Sequence, residues 1–205
     1  VDQHTFQPVH RTYTLRDEYR ALKYGMGAQA FNKGEYAQAL KLFQSALKLP
    51  ASLGMDDFEQ QSTPRIHYYI GRTLDAMGRQ QEAKQAYEES IRGVDQLTGG
   101  GSETWTPENF FMVFSLQRLG RQQEAAALVK DFQTAAAARL DGEGGAALYR
   151  ARAHYLVGLI ELYKGNTDEA KKQMEQAVQI EPDDIGPRFE LRGDAINPAS
   201  AQGTH

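Results

Sequence analysis

Histidines and carboxylates are the first residue types to search for acid–base or metal chemistry in this chain, which contains no cysteine. Without thiolates there is no disulfide, no cysteine nucleophile and no zinc site built on Cys ligands. The five histidines are His4, His10, His67, His154 and His205. None belongs to an HExxH helix, which would set two imidazoles on one face beside a general base, and none has a partner at ligand spacing. His67 and His154 fall at equivalent points of a repeat described below, which predicts shared packing geometry rather than metal ligation. Carboxylates pair at Asp56-Asp57 and Asp183-Asp184. The first pair reads as loop. The second follows Pro182 at a helix start, where carboxylates favour the positive end of the helix dipole. There is no GxSxG, P-loop or GxGxxG, and Gly99-Gly-Gly101 lacks the Lys and Ser/Thr of a phosphate loop, so it reads as a linker. Arg192-Gly-Asp194 spells an integrin-recognition tripeptide and reads as a polar turn leading into the tail. The expectation is a chain with no catalytic residue, no cofactor and no metal.

Composition narrows the classes further. At 205 residues the chain can bury one sizeable core, or a short stack of repeats that share one. A net charge of -4 and a pI of about 5.8 leave no basic face of the kind that neutralises phosphates, so nucleic acid is not an expected partner. No apolar run approaches the roughly 20 residues that cross a bilayer, so no membrane span is expected. The first residue is Val1, as expected of a chain whose leader was removed or that was cut from a longer one.

The elements that must position any site are marked by internal repetition. Four segments align on glycine: Gly34-Glu-Tyr-Ala-Gln-Ala39, Gly78-Arg-Gln-Gln-Glu-Ala83, Gly120-Arg-Gln-Gln-Glu-Ala125 and Gly165-Asn-Thr-Asp-Glu-Ala170. Upstream of these stand Gly27, Gly71, Val113 and Gly158, and beyond each Ala comes a bulky residue: Phe43, Tyr87, Val129 and Met174. Ala46, Ser90, Phe132 and Ala177 follow. The upstream glycine permits close approach of a first helix to a second. The next glycine ends the first helix in a turn that tolerates positive φ. The alanine fills the narrow gap between the helices, and the bulky residue is expected to pack toward the next repeat. Val113 and Phe132, in place of small residues, predict a wider helix separation in repeat three.

This pattern resembles the tetratricopeptide-repeat (TPR) family over most of residues 15–182, and Gln179-Ile-Glu-Pro182 is similar to that family's closing proline. The resemblance implies an all-α TPR solenoid of four helix–turn–helix repeats in a right-handed superhelix. The units recur every 44, 42 and 45 residues, against about 34 in a typical TPR. The excess lies in Pro50–Thr63, Gly99–Thr106 and Gly142–Gly145. Helices are predicted near 15–33, 36–49, 64–77, 80–94, 107–119, 121–140, 146–164 and 167–180. Thr63-Pro64 and Thr106-Pro107 each put a capping hydroxyl before a first-turn proline. The resulting domain reading is an extended N-terminal arm over 1–14 and a solenoid over 15–193. Its repeats lie near 15–50, 64–98, 107–140 and 146–182, with a cap at 183–193. A tail follows over 194–205. The arm is read as extended because it is rich in Thr, Val, Phe and Tyr and is split by Pro8.

A narrower resemblance rests on Ala46–Gly54, on Tyr68-Tyr-Ile-Gly71 with Leu74–Gly78, and on His154–Gly158 running to Glu181–Gly186. These stretches are similar to the C-terminal repeats of a bacterial family with a galactose-mutarotase-like, carbohydrate-active sandwich. That resemblance implies an accessory region and carries over no catalytic residue. The compartment stays open between a bacterial cytoplasm and, with a cleaved leader, the periplasm or exterior.

Within a TPR stack the first helices line a concave groove, which is where function is expected. One repeat position carries Tyr24, Tyr68, Phe110 and Tyr155, and the same face adds Phe31, Arg72, Phe114, Arg118, Arg152, Leu159 and Tyr163. Aromatics interspersed with arginines suit an extended peptide, an apolar helix or a sugar face; the competing reading is that the rings pack between helices. TPR proteins that clamp a terminal carboxylate use Lys and Asn where this chain has Tyr24 and Ala28. The expected function is a non-catalytic interaction or assembly scaffold. Its partner is a protein or peptide, a copy of the chain itself, or a carbohydrate. Association between copies is expected to run through the arm and the C-terminal end, producing a ring or filament.

Overall fold

The computed structural model describes residues 9–48, 63–97, 104–141 and 147–192. Among them every regular element is helical. They are α1 (Val9–Asn32), α2 (Tyr36–Leu47), α3 (Pro64–Ala76), α4 (Gln80–Ser90), α5 (Val94–Leu97), α6 (Pro107–Arg118), α7 (Gln122–Asp141), α8 (Ala147–Lys164), α9 (Thr167–Ile180) and α10 (Ile185–Arg192). Helices α1 and α2, α3 and α4, α6 and α7, and α8 and α9 form the four packed pairs. No described helix is long and apolar enough to cross a membrane.

The turn within each pair is built the same way four times. Gly34, Gly78, Gly120 and Gly165 adopt φ values of 76°, 74°, 76° and 84°, a region that side chains with a Cβ avoid. The amide that follows each glycine donates back to the carbonyl five residues earlier: Glu35 to Ala30, Arg79 to Leu74, Arg121 to Leu116 and Asn166 to Glu161, each at 2.9 Å. These bonds satisfy carbonyls that the end of a helix would leave bare. The helix that follows starts at once, and its alanine (Ala39, Ala83, Ala125 or Ala170) is buried against the first helix.

The upstream glycines work as expected, and the bulky residues pack onto them. A Cβ on Gly27 would sit 2.8 Å from the Phe43 ring, and one on Gly158 would sit 2.8 Å from Met174 Cγ. Tyr87 lies over Gly71 in the same way. In repeats one, two and four the large residue of the second helix thus packs onto the glycine of its own repeat, and Phe43 also reaches the next repeat as expected, its ring stacked 5.7 Å from that of Tyr69. Repeat three substitutes Val113 and Val129, both buried. A side chain added on one helix is matched by a trimmed one on the other.

Three expectations are corrected. Residues 9–14, read as extended, continue α1: after Pro8, which a helix start tolerates, no helix-breaking residue occurs before Gly25. Residues 1–8 lie outside the described residues. Helix α4 stops at Ser90 and not near 94, because Gly93 turns the chain at φ 83° before α5 begins. Thr106 caps α6 by accepting from the Asn109 amide at 3.2 Å, but Thr63 makes no such bond to α3. Asp184 does cap α10, accepting from the Gly186 amide at 2.9 Å. Asp56-Asp57, Gly99–Gly101, Gly142–Gly145, Gly193-Asp194 and the tail over 194–205 lie outside the described residues.

Candidate functional site: the inner face and its closing helix

The first helices of the pairs, α1, α3, α6 and α8, supply the face on which a partner site was expected. The four recurrent rings of that face are core. Tyr24 is 2% exposed, Tyr68 8%, Phe110 0% and Tyr155 2%. Tyr68 packs on Phe111 and Phe114, each at 5.6 Å between ring centroids. Phe110 stands edge-on to Phe132 at 5.0 Å. As groove walls offering ring faces, these four residues are therefore corrected to packing residues. The cause is the short distance between neighbouring first helices, which lets a ring from one reach the next. Arg72 is buried too, with its guanidinium 5.0 Å over the Phe31 ring. What stays half-buried is Phe31, Phe114, Arg118 and Tyr163, and Arg152 is exposed. Leu159 is fully buried.

The most unusual chemistry lies at residues the sequence reading did not single out. Helix α10 packs on α9 and also reaches α1. Its Glu190 is 2% exposed, although it is a glutamate on a short terminal helix. The Tyr69 hydroxyl lies 2.9 and 2.8 Å from the two carboxyl oxygens, and Tyr24 donates to Oε1 at 3.4 Å. Arg65 sits with its guanidinium 4.5 Å over the Tyr24 ring and with Nε 2.9 Å from Glu108 Oε2. Burial pushes the Glu190 carboxyl above its ordinary range, against the opposing pull of the Tyr69 hydrogen bond, Arg65 and Arg72. Burial also lifts Tyr24 and Tyr69 well above the usual phenol range, and the nearby Glu190 charge adds to it. Burial works to lower the Arg65 pKa, but Glu108 and the surrounding tyrosines more than offset it and keep the group charged.

His154 Nδ1 lies 2.8 Å from Gln173 Oε1, and Gln173 in turn donates to Glu169 at 2.8 Å. Burial lowers the pKa of His67. No group of three His, Asp or Glu side chains that could hold a metal occurs among the described residues. An open hollow between the start of α6 and the end of α7 is lined by Trp105, Asp131, Thr134, Ala135, Ala138 and Arg139. It contains none of the expected site residues.

With this geometry in place, the comparisons are informative about the repeat. Family models described as "Tetratricopeptide repeat" match residues 64–92 and 151–184. The chain is an all-α TPR solenoid. Among solved structures it is similar to "MamA 41-end from Desulfovibrio magneticus RS-1", at 18% identity and a TM-score of 0.31, covering 87% of this chain and 84% of that one. A second is "MamA RS-1 ArsTM double mutant", at 18% identity and a TM-score of 0.30, covering 87% and 83%. No curated protein matches the chain. The matching descriptions are of the repeat itself, and none of them joins it to a carbohydrate-active sandwich.

Proposed function

We propose that this chain is a non-catalytic scaffold that holds a protein or peptide partner on the half-buried strip formed by Phe31, Phe114, Arg118 and Tyr163, with Arg152 at its margin. The observation that carries this is the selective exposure of the strip. The recurrent rings are spent on packing, whereas these residues, on α1, α6 and α8, keep surface open to solvent. Partly exposed aromatics beside arginine are the side chains that anchor protein interfaces, because they bury large area and lose little rotamer entropy. The test is selection of a displayed random-peptide library on the immobilised chain, followed by binding to a Phe114→Ser, Arg118→Ser, Tyr163→Ser triple variant. Peptides that bind the wild type and lose the variant at unchanged helicity support the reading. Enriched peptides that bind both equally, or no enrichment at all, overturn it.

Self-association through the chain ends is a second reading, favoured by Leu22 and Met26. They lie one turn apart on α1 and are 58% and 42% exposed. The C-terminal side of that reading is weakened because α10 already packs on α9. Light scattering across a concentration series tests it: a single monomer mass throughout, or unchanged association in a Leu22→Ser, Met26→Ser variant, would end it.

A further inference from the structure

A stack of repeats normally holds together one neighbour at a time, so its two ends open independently. Helix α10 departs from that rule. It packs on α9 in the last repeat and also reaches α1 in the first. Leu191 anchors it against the hydrophobic core, and Asp184 fixes its start by accepting from the Gly186 amide. Glu190 then meets the hydroxyl of Tyr69 on α3, 121 residues earlier in the chain, and that of Tyr24 on α1, 166 residues earlier.

Arg65 of α3 extends the same cluster. Its guanidinium lies 4.5 Å over the Tyr24 ring, and its Nε meets Glu108 of α6 at 2.9 Å. A Cβ on Gly186 would stand 3.1 Å from Arg65 Nη1 and 2.7 Å from Cε1 of Tyr155, on α8. One buried polar cluster thus draws on α1, α3, α6, α8 and α10, which means on all four repeats and the closing helix. A buried carboxyl group costs free energy unless donors compensate it, so it adds little stability for its size. What it does fix is position. Apolar side chains alone would tolerate a slide of α10 along the inner face. A carboxyl group seated on two hydroxyls does not, because a shift of one helical turn, about 5.4 Å, would leave those groups buried and unpaired.

We propose that α10 is a clasp, pinned by Glu190, that ties the last repeat to the first and makes the two ends of the stack open together. The clasp needs no partner to act, so it is measured on the free chain and stands or falls apart from the half-buried strip. The experiment is hydrogen–deuterium exchange followed by mass spectrometry on the full chain and two variants. Gly186→Ala crowds α10 against Tyr155 and Arg65 while removing no polar group and touching nothing on α1. Glu190→Ala removes the pin, and Glu190→Gln serves in its place if that chain does not fold by far-UV circular dichroism. In both variants the amides of residues 24–32 in α1 should exchange at least about ten-fold faster than in the wild type, as loss of a hydrogen bond to a charged group implies for local opening. The amides of α9 should accelerate with them, and those of α4 should change far less. Acceleration confined to α9 and α10, with α1 at wild-type rates, overturns the proposal and leaves α10 a simple end cap. Uniform acceleration through every helix, α4 included, also overturns it, because the stack would then open as one unit with or without a clasp.

Discussion

Consider the substitution Gly71→Ala, which adds one methyl group at the closest approach of α3 to α4. The new Cβ would lie 2.7 Å from Tyr87 Cδ1 and 2.8 Å from Cζ. Carbon atoms pack comfortably at roughly 3.5–4.0 Å, so the ring must retreat by most of an ångström. It has little freedom to do so. Tyr87 is 3% exposed, its hydroxyl donates to Asp75 Oδ2 at 2.6 Å, and Tyr68 lies 6.1 Å away on its other contacts. Overpacking of this kind costs about 1–3 kcal/mol. Alanine regains about 0.5–1 kcal/mol that a helical glycine forfeits in backbone entropy. The net expectation is a loss of about 0.5–2 kcal/mol, the difference of those two effects.

The diagnostic experiment is the double-mutant cycle with Tyr87→Val, which imitates the Val113 and Val129 pairing of repeat three. Tyr87→Val alone should cost about 3 kcal/mol, as large-to-small core changes do. In that background the alanine step should become neutral or stabilising, because the added methyl fills space that the ring has vacated. The coupling between the two changes is expected at about 0.5–3 kcal/mol, the range for side chains in direct contact. Urea unfolding followed by far-UV circular dichroism, with slopes compared to check that the denatured state is unchanged, gives all four free energies. An alanine step of equal cost in both backgrounds would refute the argument that the ring and the glycine specify each other.

Thr106→Ala should destabilise by about 1 kcal/mol, as loss of a capping hydroxyl does. Thr63→Ala should change the same melting curve far less, since the Thr63 side chain makes no cap bond; equal effects would refute the distinction. The raised Glu190 carboxyl makes α10 docking pH-dependent: the folded chain holds this proton more tightly than the unfolded chain, so the contribution is complete below the ordinary value of 4.5 and is lost as pH rises through the raised one. Wild type should therefore gain stability over Glu190→Gln as pH falls toward 4.5, whereas a difference that is flat with pH contradicts the assignment. Of the groups facing Glu190, the tyrosines and arginines are raised away from this window, and the Glu108 partner of Arg65 is common to both chains and cancels.

The repeat was legible because its signals are local. A glycine at positive φ, an alanine five residues later and a bulky residue one turn on lie within a single helical hairpin, and each makes a contact within the same pair. The pairing of Gly27 with Phe43 needs no knowledge of the rest of the chain, although the same ring also stacks on Tyr69 of the next repeat. The inner face was harder because its outcome depends on how closely successive pairs pack. Tyr24, Tyr68, Phe110 and Tyr155 recur at one repeat position whether the face is open or closed, and only the separation of α1, α3, α6 and α8 decides that they are core. Tyr69 stands beside Tyr68 with nothing in its type or spacing to mark it as the hydroxyl donor. Glu190 is the extreme case, since it meets Tyr24 across 166 residues of chain. On a short helix rich in charged residues, a glutamate reads as solvated. Its burial follows from α10 reaching α1, a long-range closure that no periodicity within residues 185–192 encodes. Sequence periodicity thus locates the walls of such a stack, and the chemistry of its interior is set by whichever segment the walls close upon.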